Sequence, residues 1–156
     1  MDKKVKKIIE SSTKDMTKSM GFECEVSADE VSGEDGTSIV CNIKTESGSN
    51  FLIGQNGDNL QALQHLVRLI VRKKTEERMK FILDVNSYKK EKNESIVHLA
   101  NDMAKKAIEE GKVVALRPMS AYERRLVHME LSENENISTE SIGEGEERKI
   151  VIKPLR

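Results

Sequence analysis

The sequence has no tryptophan, two tyrosines and three phenylalanines, which argues against a function that lays rows of bases on aromatic rings. Cysteine is equally scarce. Cys24 and Cys41 make neither a metal set nor a disulfide framework, and each is expected on the apolar side of a strand as a small buried thiol. No apolar run approaches the ~18 residues of a membrane span. The basic start, MDKKVKKIIESSTKDM, lacks an apolar core before a cleavage site, so no signal peptide is expected and the cytoplasm is the expected location. An excess of one charge is missing too. Residues 1–86 hold 13 Lys+Arg against 14 Asp+Glu and residues 87–156 hold 13 against 13, so any nucleic-acid site must be a local patch. The one basic run, Arg68 to Lys80, reads first as a solvated helix end. His65, His98 and His128 fall on separate predicted helices, no acids have metal-ligand spacing, and no nucleophile–base pair stands out. The chain is therefore expected to be no enzyme and to need no cofactor and no metal.

What is present is regular patterning. Val5, Ile8, Ile9, Ser12, Met16 and Met20 recur at helical steps up to Gly21. Strict alternation follows, with Phe22, Cys24, Val26 and Ala28 facing one way. After a turn at Ser32 to Gly36, Ile39, Cys41 and Ile43 resume it, which predicts a β-hairpin with one buried face. Phe51 to Ile53 predict a single helical turn. A longer helix from about Gly57 carries Leu60, Leu63, Val67, Ile70 and Val71 as its stripe, widened by Leu66 and Leu69. Phe81, Leu83 and Val85 mark a third strand.

The organisation restarts near Ser87. Ile96, Ala100, Met103 and Ala107 predict a helix ending at Gly111, and Val113 to Leu116 a short strand. Ser120-Ala121-Tyr122-Glu123 fits a capping box, opening a helix with Tyr122, Leu126 and Met129 on one side. Strands near Ile137–Ile142 and Arg148–Ile152 flank the polar turn Gly143 to Glu147. The prediction is an α+β chain of two small domains in tandem, 1–87 and 88–156.

Two motifs carry chemistry. Gly54-Gln55-Asn56-Gly57 stands between an apolar turn and a helix N-terminus, where glycines let a ligand approach the main chain and the helix dipole favours a phosphate. Arg124 and His128 stand four apart and share a helix face, with a planar donor fork and a second nitrogen donor for phosphate. Each motif alone is also met in plain turns and solvated helices.

In context, residues 1–87 resemble a type II KH domain, of order helix–strand–strand–helix–helix–strand. That resemblance implies a cleft clamping about four nucleotides of single strand, with phosphates on Gly54, Gln55, Asn56 and Gly57 and bases on an aliphatic floor of Ile53 and Leu60. The uncharged Gln55-Asn56 pair, where a basic residue is common, and Asp58 one residue later imply a weaker grip. The stretch RPMSAYERRLVHMELSENENISTESIGEGEERKIVIKP resembles the R-3-H domain of the bacterial Jag-type (KhpB-like) proteins, through Tyr122 to Arg125, His128, Gly143 to Glu146 and Val151 to Pro154. A KH domain followed by an R-3-H domain is the order of that family, whose extra N-terminal Jag domain is not seen ahead of residue 1. The resemblance implies a non-catalytic binder of single-stranded RNA, or single-stranded DNA, with Arg124 and His128 on phosphate and Arg125 and Arg117 beside them. It also implies post-transcriptional regulation tied to cell division, envelope growth or sporulation. The alternative is an adaptor of weak RNA affinity that pairs with a single-KH protein or with itself.

Overall fold

The structure, a computed structural model, describes residues 3–33 and 36–155. The chain divides into two compact units, Met1–Lys89 and Lys90–Arg156.

In the first unit, α1 (Lys3–Ser19) buries Ile9, Ser12, Thr13 and Thr17. The threonines can be buried because the helix satisfies them: Thr13 Oγ1 donates to Ile9 O at 2.8 Å and Thr17 Oγ1 to Lys14 O at 3.0 Å. Strands β1 (Glu25–Gly33) and β2 (Gly36–Lys44) form an antiparallel hairpin closed by the Gly33–Gly36 pair. Strand pairing thus runs into the expected Ser32 to Gly36 turn, of which Glu34 and Asp35 lie outside the described residues. A crossover through α2 (Ser49–Ile53) and α3 (Asp58–Thr75) returns the chain to β3 (Phe81–Val85), parallel to β2, as a helical crossover requires. The sheet order is β1-β2-β3.

The core joins Ile39, Cys41, Ile43, Phe81, Leu83 and Val85 of the sheet to Ile9, Leu52, Leu60, Leu63, Val67 and Val71 of the helices. Cys41 behaves as expected of a buried thiol; burial pushes its pKa up to about 11. Cys24 precedes β1 and is half-buried. Met20 falls past the end of α1 and is exposed, as are Leu66 and Leu69. These last two do not widen the buried stripe, because Leu63, Val67 and Val71 already fill the face that α3 turns to the sheet. The free edge of β3 is served by α3 side chains. Gln64 Oε1 accepts from Leu83 N at 2.9 Å, and Arg68 Nε donates to Phe81 O at 3.0 Å. Arg68, the first cation of the basic run, is therefore a structural donor.

The second unit follows the helix–strand–helix–strand–strand order. Helix α4 (Tyr88–Glu110), most of which belongs to it, contributes Ile96, Ala100, Ala104 and Ala107 to its core. Strand β4 shrinks to Val114–Ala115, although Leu116 N still donates to Ile150 O at 2.9 Å. Helix α5 spans Ala121–Leu131, and β5 (Ile137–Ile142) and β6 (Lys149–Pro154) are antiparallel in a sheet of order β4-β6-β5. β6 runs two residues beyond its expected end at Ile152. Tyr122 and Met129 are exposed. The helix instead turns Val127 and Leu131, with Leu126 half-buried, into the core of Ile137, Ile150 and Ile152. The whole is an α+β chain of two small domains in the KH type II and R-3-H element orders.

Candidate nucleic-acid interface

The GQNG loop is held by its backbone and by two neighbours. Gly54 has φ 71° and ψ −176°, a conformation open almost only to glycine. Asn56 (φ 54°) and Gly57 (φ 83°) are both left-handed. Asn59 Nδ2 donates to Phe51 O at 2.8 Å, bracing the end of α2 against the start of α3, and a Cβ on Gly54 would sit 2.5 Å from the Asn59 side chain. A Cβ on Gly57 would meet the Tyr88 ring at 3.2 Å. The glycines are thus demanded by torsion and by space. Main-chain amides at the head of α3 are what such a loop offers a phosphate, and the Asp58 carboxylate in the first turn opposes one. Of the two expected floor residues, Ile53 is half-buried, packed against the core with part of its surface accessible. Leu60, on the inward face of α3, is 3% exposed, a core residue that offers no surface to a base.

The second site is built by α5 against β5. Ser120 caps the helix: its Oγ accepts from Glu123 N at 3.3 Å while Glu123 Oε2 accepts from Ser120 N at 2.7 Å. The expected capping box is present. One residue on, Arg124 donates through Nη1 to Ser141 Oγ at 2.9 Å. One turn later, His128 Nδ1 meets Thr139 Oγ1 at 2.6 Å. The match is one of pitch. Four helical residues rise about 6 Å, and two strand residues about 6.6 Å, so the pair 124/128 on the helix stays in step with 141/139 on the strand. The Thr139 contact occupies one ring nitrogen of His128, which leaves Nε2 to meet a ligand.

Arg148 completes the group. It stands at the end of the β5–β6 turn, where Gly143 (φ 89°) folds so closely that a Cβ would sit 3.0 Å from Glu147 O. Its N–H donates to Gly145 O, and its carbonyl accepts from Met119 N at 3.1 Å. Arg148 Nε then donates to Ser141 Oγ at 3.0 Å. A shallow hollow lined by Ala121, Arg124, Arg125, His128, Met129, Ser141 and Arg148 results. Three guanidinium groups and an imidazole border it, with no carboxylate among the lining residues, so an anion is the ligand its charge favours.

Arg117, expected beside Arg124, is drawn elsewhere. It reaches Glu123 Oε1 at 3.7 Å and Pro118 O at 3.4 Å, and it does not line the hollow. Arg125 does. Sequence reasoning missed Arg148, Ser141 and Thr139. Their signal is parity: Thr139 pairs with Ile152 and Ser141 with Ile150, so two hydroxyls occupy the side of β5 that should be apolar. Arg148 shares the parity of Ile150 and Ile152. Among the described residues there is no group of three or more His, Cys, Asp or Glu able to hold a metal ion, and no helix is long and apolar enough to cross a membrane.

Residues 94–154 match the model of the R-3-H domain family. The RNA-binding protein KhpB of Clostridium symbiosum is 36% identical over 105 residues, 67% of this chain and 47% of that protein. KhpB of Bacillus subtilis (strain 168) is 34% identical over 107 residues, covering 67% and 51%. For KhpB of Lactiplantibacillus plantarum the figures are 34% over 101 residues, 65% and 31%. The chain spans about half, or less, of the length of these curated relatives.

Proposed function

Because this chain belongs to the KhpB (Jag-type) family over the residues it shares with those relatives, and carries an R-3-H domain, we propose that it is a non-catalytic, cytoplasmic RNA-binding protein that grips single strands by their phosphates. Residues 1–87 act as a KH domain and residues 88–156 as an R-3-H domain. The observation that carries this reading is the hollow free of carboxylates where Arg124, Arg125, His128 and Arg148 converge. Guanidinium groups supply paired donors that match phosphate oxygens, and the His128 ring supplies another. The GQNG loop adds a second, weaker phosphate contact through main-chain amides, with Ile53 beneath a neighbouring base. The cellular role that accompanies this reading is control of RNAs tied to cell division, envelope growth or sporulation, and it rests on the family resemblance.

The test is a titration of labelled mixed-sequence single-stranded RNA, single-stranded DNA and duplex RNA in dilute buffer. The single strands bind, and affinity falls with salt because phosphate contacts release counterions. The folded double variant Arg124→Ala/His128→Ala loses about tenfold or more, since charge-assisted contacts are worth roughly 1.5–3 kcal/mol each. Absence of all association by the parent protein refutes the reading.

A second reading, an adaptor that pairs with a single-KH protein or with itself, is favoured by one observation. The first unit exposes Phe51, which is 75% accessible, together with Leu66 and Leu69. A protein partner that survives RNase treatment during co-purification supports the adaptor; loss of every partner on RNase treatment counts against it.

A further inference from the structure

We infer that Ser141 is the positioning residue that makes Arg124 and Arg148 act as one clamp on an anion in the α5 hollow. The inference rests on the proposed RNA-binding role and specifies how that site works. Ser141 Oγ accepts from two guanidinium groups at once, Arg124 Nη1 at 2.9 Å and Arg148 Nε at 3.0 Å. A hydroxyl has two acceptor lone pairs, so both are used and its own proton points away from the two arginines. A phosphate oxygen in the hollow is an acceptor of the right kind.

Geometry and charge agree. Two cations donating to one oxygen lie close together, and like charges at such range repel even in water. Nothing lining the hollow offsets this; a bound anion would. Arg148 uses Nε for Ser141, which turns its two terminal nitrogens into a fork for a ligand. Arg124, with Nε shared with Ser120 O at 3.4 Å and Nη1 on Ser141, keeps Nη2 for the same purpose. The backbone of Arg148 is fixed at both ends, by Gly145 O and Met119 N, so the side chain is presented from a firm base and little order has to be gained on binding.

The opposing explanation is that Arg148 is a surface arginine whose bond to Ser141 merely pins a turn. The experiment measures affinity of the full chain for a labelled mixed-sequence single-stranded RNA across a salt series, with folding checked by circular dichroism. Arg148→Ala should bind about tenfold more weakly and lower the magnitude of the salt slope by about 0.7, one phosphate contact on a single strand. Arg148→Lys should recover only part of the loss, since an ammonium cannot hold Ser141 and fork a phosphate together. Ser141→Ala should weaken binding by several-fold and remove the coupling between Arg124→Ala and Arg148→Ala in a double-mutant cycle. Ser141→Thr, which keeps the hydroxyl, should restore both. If Arg148→Ala binds like the parent while Arg124→Ala is impaired, the inference is overturned and the RNA-binding reading stands. A parent that binds no RNA overturns both.

Discussion

Replacing Glu123 by glutamine tests how far the second unit depends on the cap of α5, the turn that presents Arg124. Glu123 is 6% exposed. Its carboxylate accepts from Ser120 N at 2.7 Å and lies 3.3 Å from Lys92 Nζ and 3.7 Å from Arg117 Nη2. Burial pushes its pKa up, but the Ser120 amide and hydroxyl and the Lys92 ammonium outweigh burial and hold it below the ordinary 4.5. A lowered carboxylate pKa means stability that is fully present above the unfolded value and is lost as the pH falls through the folded one. Glutamine keeps an oxygen for the Ser120 amide but not the charge. Lys92 and Arg117 are partly exposed and can rehydrate, so the ion-pair share is discounted. The cost is then about 1 kcal/mol, and about 2 kcal/mol for alanine, which also forfeits the cap bond. For a unit of this size that lowers the melting temperature by roughly 4–8 °C and 8–16 °C respectively. Calorimetry at neutral pH and again well below the carboxylate range is the assay. The gap between parent and glutamine variant should close at the acid end as the parent takes up its proton. A gap that persists there, or none at neutral pH, refutes the assignment of this stability to the charge.

Three further outcomes are expected. Gly54→Ala forces a side chain into the φ 71°, ψ −176° conformation and against Asn59, a strain of about 1–3 kcal/mol; hydrogen exchange at the head of α3 should rise while the second unit is unchanged. The double change Gln55→Asp/Asn56→Asp puts two carboxylates where a phosphate docks, so RNA affinity should drop several-fold with the fold retained, and unaltered binding would remove the GQNG loop from the site. Thr139→Val takes away the partner of His128 Nδ1 and should weaken binding by a few-fold through a loosened ring, visible as broadened His128 resonances in NMR.

Much of this architecture could be read in the sequence because it is local. The capping box at Ser120 and Glu123 depends on three-residue spacing, and the hairpin on period-two alternation, so both emerge, although β1 starts at Glu25, three residues after the expected Phe22. The errors lie where a helix has more apolar residues than one neighbour can cover. Leu66 and Leu69 on α3, and Tyr122 and Met129 on α5, satisfy helical spacing as well as the buried residues do; which set faces the sheet is decided by packing alone. Leu60 shows the same ambiguity from the other side, since a residue suited to a cleft floor is equally suited to the core, and here the core takes it. Arg148 is hidden for another reason. It lies 24 residues from Arg124, and only the β5–β6 turn brings it to Ser141. Arg117 sits seven residues before Arg124, yet the carboxylate of Glu123 draws it away. Nearness along the chain was a poor guide to both arginines.

A chain of net charge −1 can still present a cationic surface if its acids are turned away from it, and α5 shows how. In Tyr122-Glu123-Arg124-Arg125 an acid is adjacent to two bases, which on a composition count would cancel one of them. The helix advances 100° per residue, so Glu123 and Arg125 fall on nearly opposite sides. Glu123 enters the interior, where the Ser120 amide, Lys92 and Arg117 absorb its charge. Arg124, Arg125 and His128 are left facing the hollow, with β5 supplying hydroxyls, which orient a cation without neutralising it. Had Thr139 or Ser141 been an aspartate, the same bonds would be stronger and the hollow would lose its appeal to phosphate. The choice of neutral hydroxyls at these two inward positions of β5 keeps the positive charge of the arginines available, and it separates a binding surface from an internal ion pair.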